Sequence, residues 1–212
     1  MPRQLCSLSL DLDNLWSYLK THGDPGWDAY PTYLRTVVPR VLDLLSARNI
    51  RITWFLVGKD AADPAHHDTL REITRQGHEV GNHSFHHEPW LHRYTEQQID
   101  DELARTEDAI EAATGVRPDG FRGPGYSFSP TLLNVLTRRG YRYDCSTFPT
   151  FLGPLARMYY FAKAKGLSAE EKAQRKQLFG KLSEGFRPLK PYTWNTPHGP
   201  LLEIPVTTMP IR

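Results

Sequence analysis

The chain has 212 residues, of which 39% are hydrophobic, and a formal net charge of +2 at pH 7. This length and apolar content are enough for one sizeable core, so we predict a single domain over residues 1–212. Basic residues are concentrated between Arg157 and Lys190 and the rest of the chain is nearly balanced, so bulk nucleic-acid binding is not expected.

The first predicted element is a strand over residues 5–13. Apolar and polar residues alternate there, so Asp11 and Asp13 leave the strand on the same face. A loop over residues 22–33 follows, and TVVPRVLDLLSARN then predicts a helix with Pro39 in its first turn. The apolar run RITWFLVG predicts the second strand, which is buried.

The middle of the chain repeats this alternation of helix and strand. A helix is predicted from about Ala65 to Arg75, and the short strand GHEVGN follows it. Thr95 and Gln98 form a predicted capping box for a long helix that ends near Thr114. GFRG and YRYDCS predict two short strands, separated by a helix that begins at a Ser-Pro pair.

Alternating strands and helices predict an α/β fold with a parallel sheet and crossover helices. Each polar cluster follows the carboxyl end of a different strand, which favours a closed (β/α) barrel over an open sheet. Neither GxGxxG nor GxxxxGK follows the first strand, so a dinucleotide or nucleoside-triphosphate site is not expected. Residues 151–192 break the alternation and are interpreted as an inserted excursion. The last strand, LLEIPVT, lacks a closing helix, so we predict a barrel that is incomplete at its C-terminus.

The cysteines and the N-terminus bear on the cellular compartment. Cys6 and Cys145 lie in strand-like apolar runs, where buried reduced thiols are expected, and this favours a reducing environment. MPRQLCSLSLDLDN reaches charged residues too early for a signal peptide, and no apolar run approaches the roughly 20 residues of a membrane span. We therefore expect a cytoplasmic or membrane-peripheral protein.

The excursion supplies two alternative predictions for partners. Residues 151–165 mix aromatic and basic side chains, a composition suited to peripheral contact with a membrane surface. A lid packed on the barrel, or a contact between the subunits of a homo-oligomer, is the favoured alternative.

His83 and His87 are the first candidates for metal ligands. They stand four residues apart, a spacing at which one helical turn places both imidazoles on the same side. Such a pair alone is more often a packing or surface feature, but Asp13 at the end of the first strand would complete a facial triad. Three protein ligands leave positions open for water and substrate.

His86 is a competing ligand whose ring is expected to point elsewhere. Three other histidines are expected to be exposed polar residues: His66, His67 and His92.

Imidazole and carboxylate donors favour one divalent ion, with Zn²⁺ first and Co²⁺ or Ni²⁺ as alternatives. Asp11 lies two residues before Asp13 and so is predicted one layer deeper on the same face, where it would act as a general base. Arg122, at the end of GFRG, is placed in the sequence to keep this carboxylate ionised and oriented. The alternative is that Asp11 is a buried acid with satisfied hydrogen bonds.

Together these residues resemble the polysaccharide deacetylase family, also called the NodB-homology or carbohydrate esterase family 4 domain. The family's paired-acid motif is similar to Asp11 and Asp13, here spread as DLD, and its HSxxH motif matches His83 and His87. The resemblance implies a distorted (β/α) barrel and a metal-dependent enzyme that removes N-acetyl groups from a sugar or polysaccharide. It also implies that Asp11 is the base and that Asp13 is a metal ligand.

Two later motifs extend the resemblance. FRGPGYS resembles the family's Arg-x-Pro motif with one extra residue before the tyrosine, which implies that Arg122 orients the base and that the backbone near Tyr126 holds the oxyanion. YDCSTFP looks like the fourth motif, in which Asp144 would tune an acid group, or be structural, and Phe148 stands where tryptophan is usual. The DxD spacing is similar to a subgroup that includes intracellular deacetylases and hydrolases of small cyclic amides or ureides.

One departure from the family pattern concerns the proton donor. The resemblance places a histidine after a final strand, where it protonates the leaving amine, and no such motif follows Val206. His198 precedes the last strand, so we expect a truncated chain rather than His198 as the acid. Three functions remain open: sugar de-N-acetylation, hydrolysis of a cyclic amide or ureide or of a formamide on a lipid-linked sugar, and carbohydrate binding without turnover.

Overall fold

The computed structural model describes residues 6–151 and 182–207. The strands are β1 (Ser9–Leu12), β2 (Thr53–Leu56), β3 (Glu79–Asn82), β4 (Gly120–Phe121), β5 (Tyr143–Asp144), β6 (Tyr192–Thr196) and β7 (Gly199–Glu203). The α-helices are α1 (Leu15–His22), α2 (Leu34–Ser46), α3 (Gly58–Ala61), α4 (His67–Arg75), α5 (Glu96–Thr114) and α6 (Pro130–Arg138). The predicted alternation of strands and helices is thus confirmed from the first strand to the fifth.

The seven strands form one sheet in the order β1-β2-β3-β4-β5-β7-β6. All neighbouring pairs are parallel except β6 and β7, which form an antiparallel hairpin. The sheet does not close within residues 6–151 and 182–207, because β1 and β6 are its two edges. The architecture is therefore the distorted, incomplete form of a (β/α) barrel, and the expectation of a closed barrel is wrong for this part of the chain.

The helix ends follow local capping rules. Thr95 and Gln98 form both hydrogen bonds of a capping box at the start of α5, and Gly115 ends that helix at φ 77°. Helix α2 begins earlier than predicted, so Pro39 lies inside the helix rather than in its first turn. The reason is burial, since Leu34 at the start of α2 is fully buried and extends the apolar stripe of the helix by one turn.

Apolar side chains form two clusters on the sheet. The larger cluster joins the start of the sheet to α2, α4 and α5 through residues that include Leu42, Trp54, Leu56, Ile73, Val80 and Ile110. The second joins α5 and α6 to the later strands through residues that include Leu103, Phe121, Leu132, Val135, Leu136 and Leu201. Because α5 contributes to both clusters, it packs against both halves of the sheet.

Three smaller expectations need correction. Cys6 is exposed, because it lies three residues before β1, which starts only at Ser9, whereas Cys145 is buried as predicted. His66 is buried rather than exposed, because its Nδ1 lies 2.8 Å from the carbonyl oxygen of Asp60. His67 and His92 are half-buried.

The predicted excursion at 151–192 falls largely outside the described residues, and so does the predicted membrane contact through 151–165. Of the excursion, the structure describes Phe151 and the part from residue 182, which begins with a short 3₁₀ helix, Leu182–Phe186. None of the described helices combines the length and apolar content needed to cross a bilayer. The single domain, the homo-oligomer and the cytoplasmic location stay predictions.

Candidate metal centre

The candidate ligands meet at the carboxyl edge of the parallel strands. Asp13 follows β1 directly, His83 follows β3, and Arg122 follows β4. Because β1, β2, β3 and β4 are parallel neighbours, residues that follow them lie side by side at one edge of the sheet. The sheet topology thus brings together residues that are far apart in the sequence.

Asp13, His83 and His87 have ligand atoms that all lie within 4.8 Å of one another. Asp13 Oδ1 is 3.4 Å from His83 Nε2 and 3.1 Å from His87 Nε2. Ligands about 2.1 Å from a tetrahedral ion are about 3.4 Å apart, so these distances fit three corners of such a site. The structure brings together all three predicted ligands.

Unpartnered polar atoms support this fit. Within the described residues, Asp13 Oδ1 and both ring nitrogens of His87 are buried and have no hydrogen-bond partner. Buried polar groups are normally paired, because an unpaired one costs about 1–3 kcal/mol. A divalent cation bound by Asp13 Oδ1 and His87 Nε2 would satisfy two of these three atoms.

The ring orientation of His83 is fixed by a neighbouring backbone group. Its Nδ1 lies 2.6 Å from the carbonyl oxygen of Arg122, which only accepts, so Nδ1 carries the proton and donates it there. The lone pair on Nε2 therefore points toward Asp13 and is free for a metal. Burial lowers the pKa of His83, which keeps the ring neutral, the form in which imidazole binds metals.

The loop over residues 83–87 has a different conformation from the predicted helical turn. Ser84 and His87 have φ values of 58° and 52°, so two left-handed residues, rather than α-helical ones, aim both imidazoles at one point. Glu102 of α5 holds this loop by accepting hydrogen bonds from the backbone N–H groups of Phe85 and His86, at 2.9 and 3.0 Å. His86 also places its Nδ1 2.5 Å from Glu102, so its ring points away from the metal ligands, as predicted.

Two tyrosines that the sequence analysis did not identify hold Asp13. The hydroxyl of Tyr18 donates to Asp13 Oδ2 at 3.0 Å, and the hydroxyl of Tyr33 donates to the Asp13 backbone carbonyl. Burial alone would raise the pKa of Asp13, but the adjacent His87 and His83 rings and the Tyr18 hydroxyl lower it overall. Asp13 is therefore ionised at neutral pH, as a metal ligand must be.

Asp11 forms an ion pair with Arg122, as the sequence predicts. Arg122 Nη1 donates to Asp11 Oδ1 at 2.6 Å, and Nη2 donates to Ser9 Oγ at 2.7 Å. The guanidinium carbon also lies 4.3 Å from the centre of the Phe55 ring. The Asp11 side chain is 25% exposed against 11% for Asp13, so the fully buried alternative is not observed and water can reach the predicted base.

The loop after β4 turns tightly beside this pair. Gly125 and Tyr126 both have left-handed backbones, and the Tyr126 N–H donates to the Gly123 carbonyl at 2.9 Å. A Cβ on Gly123 would lie 2.0 Å from the Ser127 carbonyl oxygen, so only glycine allows this approach. The Tyr126 N–H is thus used within the turn, and its predicted role as an oxyanion donor stays a prediction.

The phenol of Tyr126 is near enough to Asp11, Asp13 and Arg122 for their charges to act on its pKa. Burial raises the pKa of Tyr126, as do the charges of Asp11 and Asp13, while Arg122 opposes them. The hydroxyl therefore stays protonated and can donate a hydrogen bond. Phe148 stacks on this ring, with 4.8 Å between ring centres and 28° between planes, and so limits its movement.

Asp144 lies in the interior of the protein. It is fully buried and faces Glu203, its partner in the register of β5 and β7, which is also fully buried. Asp144 Oδ1 accepts hydrogen bonds from the Ser146 N–H and hydroxyl, while Glu203 accepts from Thr147 and Trp194. Burial and the Glu203 carboxylate raise the pKa of Asp144 well above its usual value. This geometry supports the structural alternative for Asp144, and tuning of an acid group stays a prediction.

His198 lies at the amino end of the parallel strands, opposite to the end that carries the candidate ligands. It is exposed in the turn between β6 and β7, at the amino end of β7. Because β7 runs parallel to β5, this turn is separated from the carboxyl edge by a five-residue strand, about 13 Å. The geometry agrees with the expectation that His198 is not the proton donor.

Comparisons with known proteins point to one family. The sequence model of the polysaccharide deacetylase family matches residues 24–143, more than half of the chain. A peptidoglycan deacetylase of Helicobacter pylori is 28% identical over 148 residues, which cover 67% of this chain and 49% of that protein. A peptidoglycan-N-acetylmuramic acid deacetylase of Bacillus subtilis is 33% identical over 111 residues, 52% of this chain and 41% of that protein.

The fold comparison agrees. The crystal structure of a Mycobacterium smegmatis protein assigned as a polysaccharide deacetylase superposes with a TM-score of 0.66 at 24% identity. That superposition covers 95% of this chain and 58% of the other, so the fold is shared. The chain spans about half the length of the curated relatives it matches.

Proposed function

Because the chain belongs to the polysaccharide deacetylase family, we propose that it is a metal-dependent hydrolase that removes N-acetyl groups from a polysaccharide. The observation that carries the proposal is the buried triad of Asp13, His83 and His87, whose unpartnered atoms lie beside the Asp11–Arg122 ion pair. The names of the two peptidoglycan deacetylases support a cell-wall polysaccharide as the substrate class.

The residues of the site can perform the first half of amide hydrolysis. A divalent cation held by Asp13, His83 and His87 would supply Lewis-acid activation of the amide carbonyl and of the attacking water. Asp11 is placed to accept the proton of that water, and the hydrogen bond from Arg122 orients its carboxylate. As the carbonyl carbon becomes tetrahedral, the protonated hydroxyl of Tyr126 can donate to the developing oxyanion.

The donor set favours zinc, with cobalt and nickel as alternatives. Two neutral imidazoles and one carboxylate form the ligand set of many catalytic zinc sites. The same set binds other late first-row ions, so availability as well as geometry decides which ion is bound. We therefore propose one Zn²⁺ per chain.

Acetate release tests the proposal directly. Oligomers of N-acetylglucosamine are incubated with the purified chain, first with added Zn²⁺, Co²⁺ or Ni²⁺ and then with a chelator. Metal-dependent acetate release that Asp11→Asn abolishes supports the proposal. Oligomer binding without acetate release with any of the ions contradicts it and supports the binding protein without turnover.

A parallel assay with cyclic ureides separates the remaining alternative. Hydrolysis of a ureide with no acetate release from the oligomers would replace the polysaccharide substrate with a small cyclic amide while leaving the same metal site in use.

A further inference from the structure

Two tryptophans and two lysines form a cluster next to the loop of the metal ligands. The rings of Trp16 and Trp27 lie 5.7 Å apart. Lys59 Nζ is 4.6 and 4.4 Å from these ring centres, and Lys20 Nζ is 6.0 and 5.3 Å from them. Both ammonium groups are thus within cation–π range of the same two rings.

Only one of the two ammonium groups has an acidic partner among the described residues. Lys20 Nζ forms an ion pair with Glu88 at 2.5 Å. Lys59 has no carboxylate within ion-pair distance in this part of the chain, because the neighbouring Asp60 directs its Oδ1 at the indole N–H of Trp16, 2.9 Å away. Because Glu88 already balances the charge of Lys20, the charge of Lys59 is the one in this cluster that a bound anion would balance.

Both lysines are attached to the segment between His83 and His87. The backbone N–H of Lys59 donates to the Phe85 carbonyl at 3.0 Å, and the ammonium of Lys20 donates to the His86 carbonyl at 3.1 Å. The cluster therefore borders the metal loop directly. Trp27 and Lys59 are only half-buried, so both side chains are accessible to a ligand beside this loop.

We propose, on the premise of the proposed function, that Lys59 and Trp27 form a subsite for the carboxylate of an acidic N-acetylated sugar. The Lys59 ammonium pairs with the carboxylate, and the indole of Trp27 holds that ammonium in place while offering an apolar edge to the sugar. The carboxylate belongs either to a lactyl ether on the sugar or to a uronic acid. Lys59 is thus a residue that determines specificity and takes no part in the chemical step.

Paired sugars test this subsite without requiring turnover. N-acetylmuramic acid and N-acetylglucosamine differ by the lactyl group, and each is titrated into chelator-treated protein while the indole N–H signal of Trp27 is followed by NMR. Comparison with Trp27→Phe assigns that signal. We expect the acidic sugar to bind about fivefold more tightly, which corresponds to one partly exposed charge pair. The preference should fall as salt is added.

Variants separate the subsite from general charge attraction. Lys59→Gln should lose the preference and keep the affinity for N-acetylglucosamine, whereas Lys59→Arg should retain it. Lys190→Gln removes the same charge at an exposed position outside the cluster and should leave the preference intact. Thermal melting of each variant shows that it is folded.

The outcomes are distinct. The subsite is excluded if the wild-type protein does not prefer N-acetylmuramic acid to N-acetylglucosamine, or if Lys59→Gln keeps that preference. It is also excluded if Lys190→Gln reduces the preference as much as Lys59→Gln does. N-acetylglucosaminuronic acid, which has a carboxylate at C6 and no lactyl group, identifies the source of the carboxylate, because Lys59-dependent binding of that sugar instead of N-acetylmuramic acid assigns a uronic acid. Since the measurement uses metal-free protein, a Lys59-dependent preference without metal-dependent acetate release would retain the subsite and reject the proposed function.

Discussion

Arg122 and His83 are joined by a 2.6 Å hydrogen bond from the ring Nδ1 to the backbone carbonyl, while the guanidinium of the same arginine holds Asp11. Arg122 thus orients a metal ligand through its backbone and the predicted base through its side chain. Because the two functions use different atoms, substitution of the side chain should affect the base and leave the metal ligand in place.

Replacement of Asp11 by asparagine should therefore separate turnover from metal binding. The amide keeps the shape of the carboxylate but cannot accept the proton of the water, so kcat should fall by about 10²–10⁴-fold. Metal affinity, measured by calorimetry, should change by less than about tenfold, because Asp11 is not one of the three ligands. A variant that kept wild-type kcat would show that Asp11 is not the base.

Replacement of His87 by alanine should remove metal binding. The substitution deletes one of three ligands, and we expect loss of more than about 100-fold in affinity, above the range for residues that only support ligands. Asp13→Ala should behave in the same way. His86→Ala is the matched control, because its ring contacts Glu102 and the backbone bonds that hold the loop remain. Metal content by mass spectrometry would contradict the assignment if His86→Ala lost the ion and His87→Ala kept it.

The sequence predicts that the three candidate ligands lie together, as the structure shows, but for a partly wrong reason. The spacing of His83 and His87 suggests a helical turn, whereas two left-handed residues make the turn in the structure. That conformation is held by Glu102 in α5, which lies 15 residues after His87 and accepts hydrogen bonds from two backbone N–H groups of the loop. Local periodicity carries no information about such a tertiary contact.

Other parts of the site follow from local sequence to different degrees. Strand alternation places Ser9, Asp11 and Asp13 on one face, which would have identified Ser9 as a further partner of Arg122. The sequence pattern does not identify Tyr18, because it does not predict α1, the helix that begins just after Asp13 and contains this tyrosine. The pairing of Asp144 with Glu203 depends on the register of β5 and β7, and the residues between these strands give no pattern that fixes it.

The buried pair of Asp144 and Glu203 should make the fold less stable as the pH rises. The pKa of Asp144 is raised in the folded state, so the folded chain holds a proton that the unfolded chain releases above its ordinary pKa of 3.8. Unfolding then releases that proton, so the free energy of unfolding falls with pH from about 4 up to the folded pKa. Asp144→Asn cannot titrate and should lose this component of the decline.

Urea denaturation of chelator-treated protein between pH 4.5 and 8 measures this effect. The quantity of interest is the free energy of unfolding of Asp144→Asn minus that of wild type, which should become more favourable to the variant as the pH rises. The subtraction cancels the pH-dependent contributions of the titratable groups that both proteins share, including His83. Asp68→Asn, at a fully exposed side chain, should show no such trend. A pH-independent difference for Asp144→Asn would mean that the pair holds no extra proton.

Gly58 should prove essential to the metal loop although it is not a ligand. A Cβ at this position would lie 2.6 Å from Thr106 Oγ1 and 2.7 Å from the ring of Phe85, which is in the middle of the loop. The Gly58 N–H also donates to the Ser84 carbonyl at 2.9 Å, so the loop cannot move away without losing this bond. Gly58→Ala should therefore displace the two histidines and weaken metal binding by about 10–100-fold, as loss of a supporting contact does.

Gly115→Ala distinguishes this effect from a general loss of stability. A methyl group on Gly115 would meet no atom of the described residues within 4 Å, but the backbone there adopts φ +77°. Alanine at this position therefore costs about 1 kcal/mol of stability through backbone strain alone. We expect Gly115→Ala to lower the melting temperature and leave metal affinity unchanged, whereas Gly58→Ala should lower both. Metal affinity is measured by calorimetry well below the melting temperatures of the two variants. Equal affinities would show that the loop over residues 83–87 accommodates the methyl group at position 58, and that the position of this loop depends mainly on Glu102.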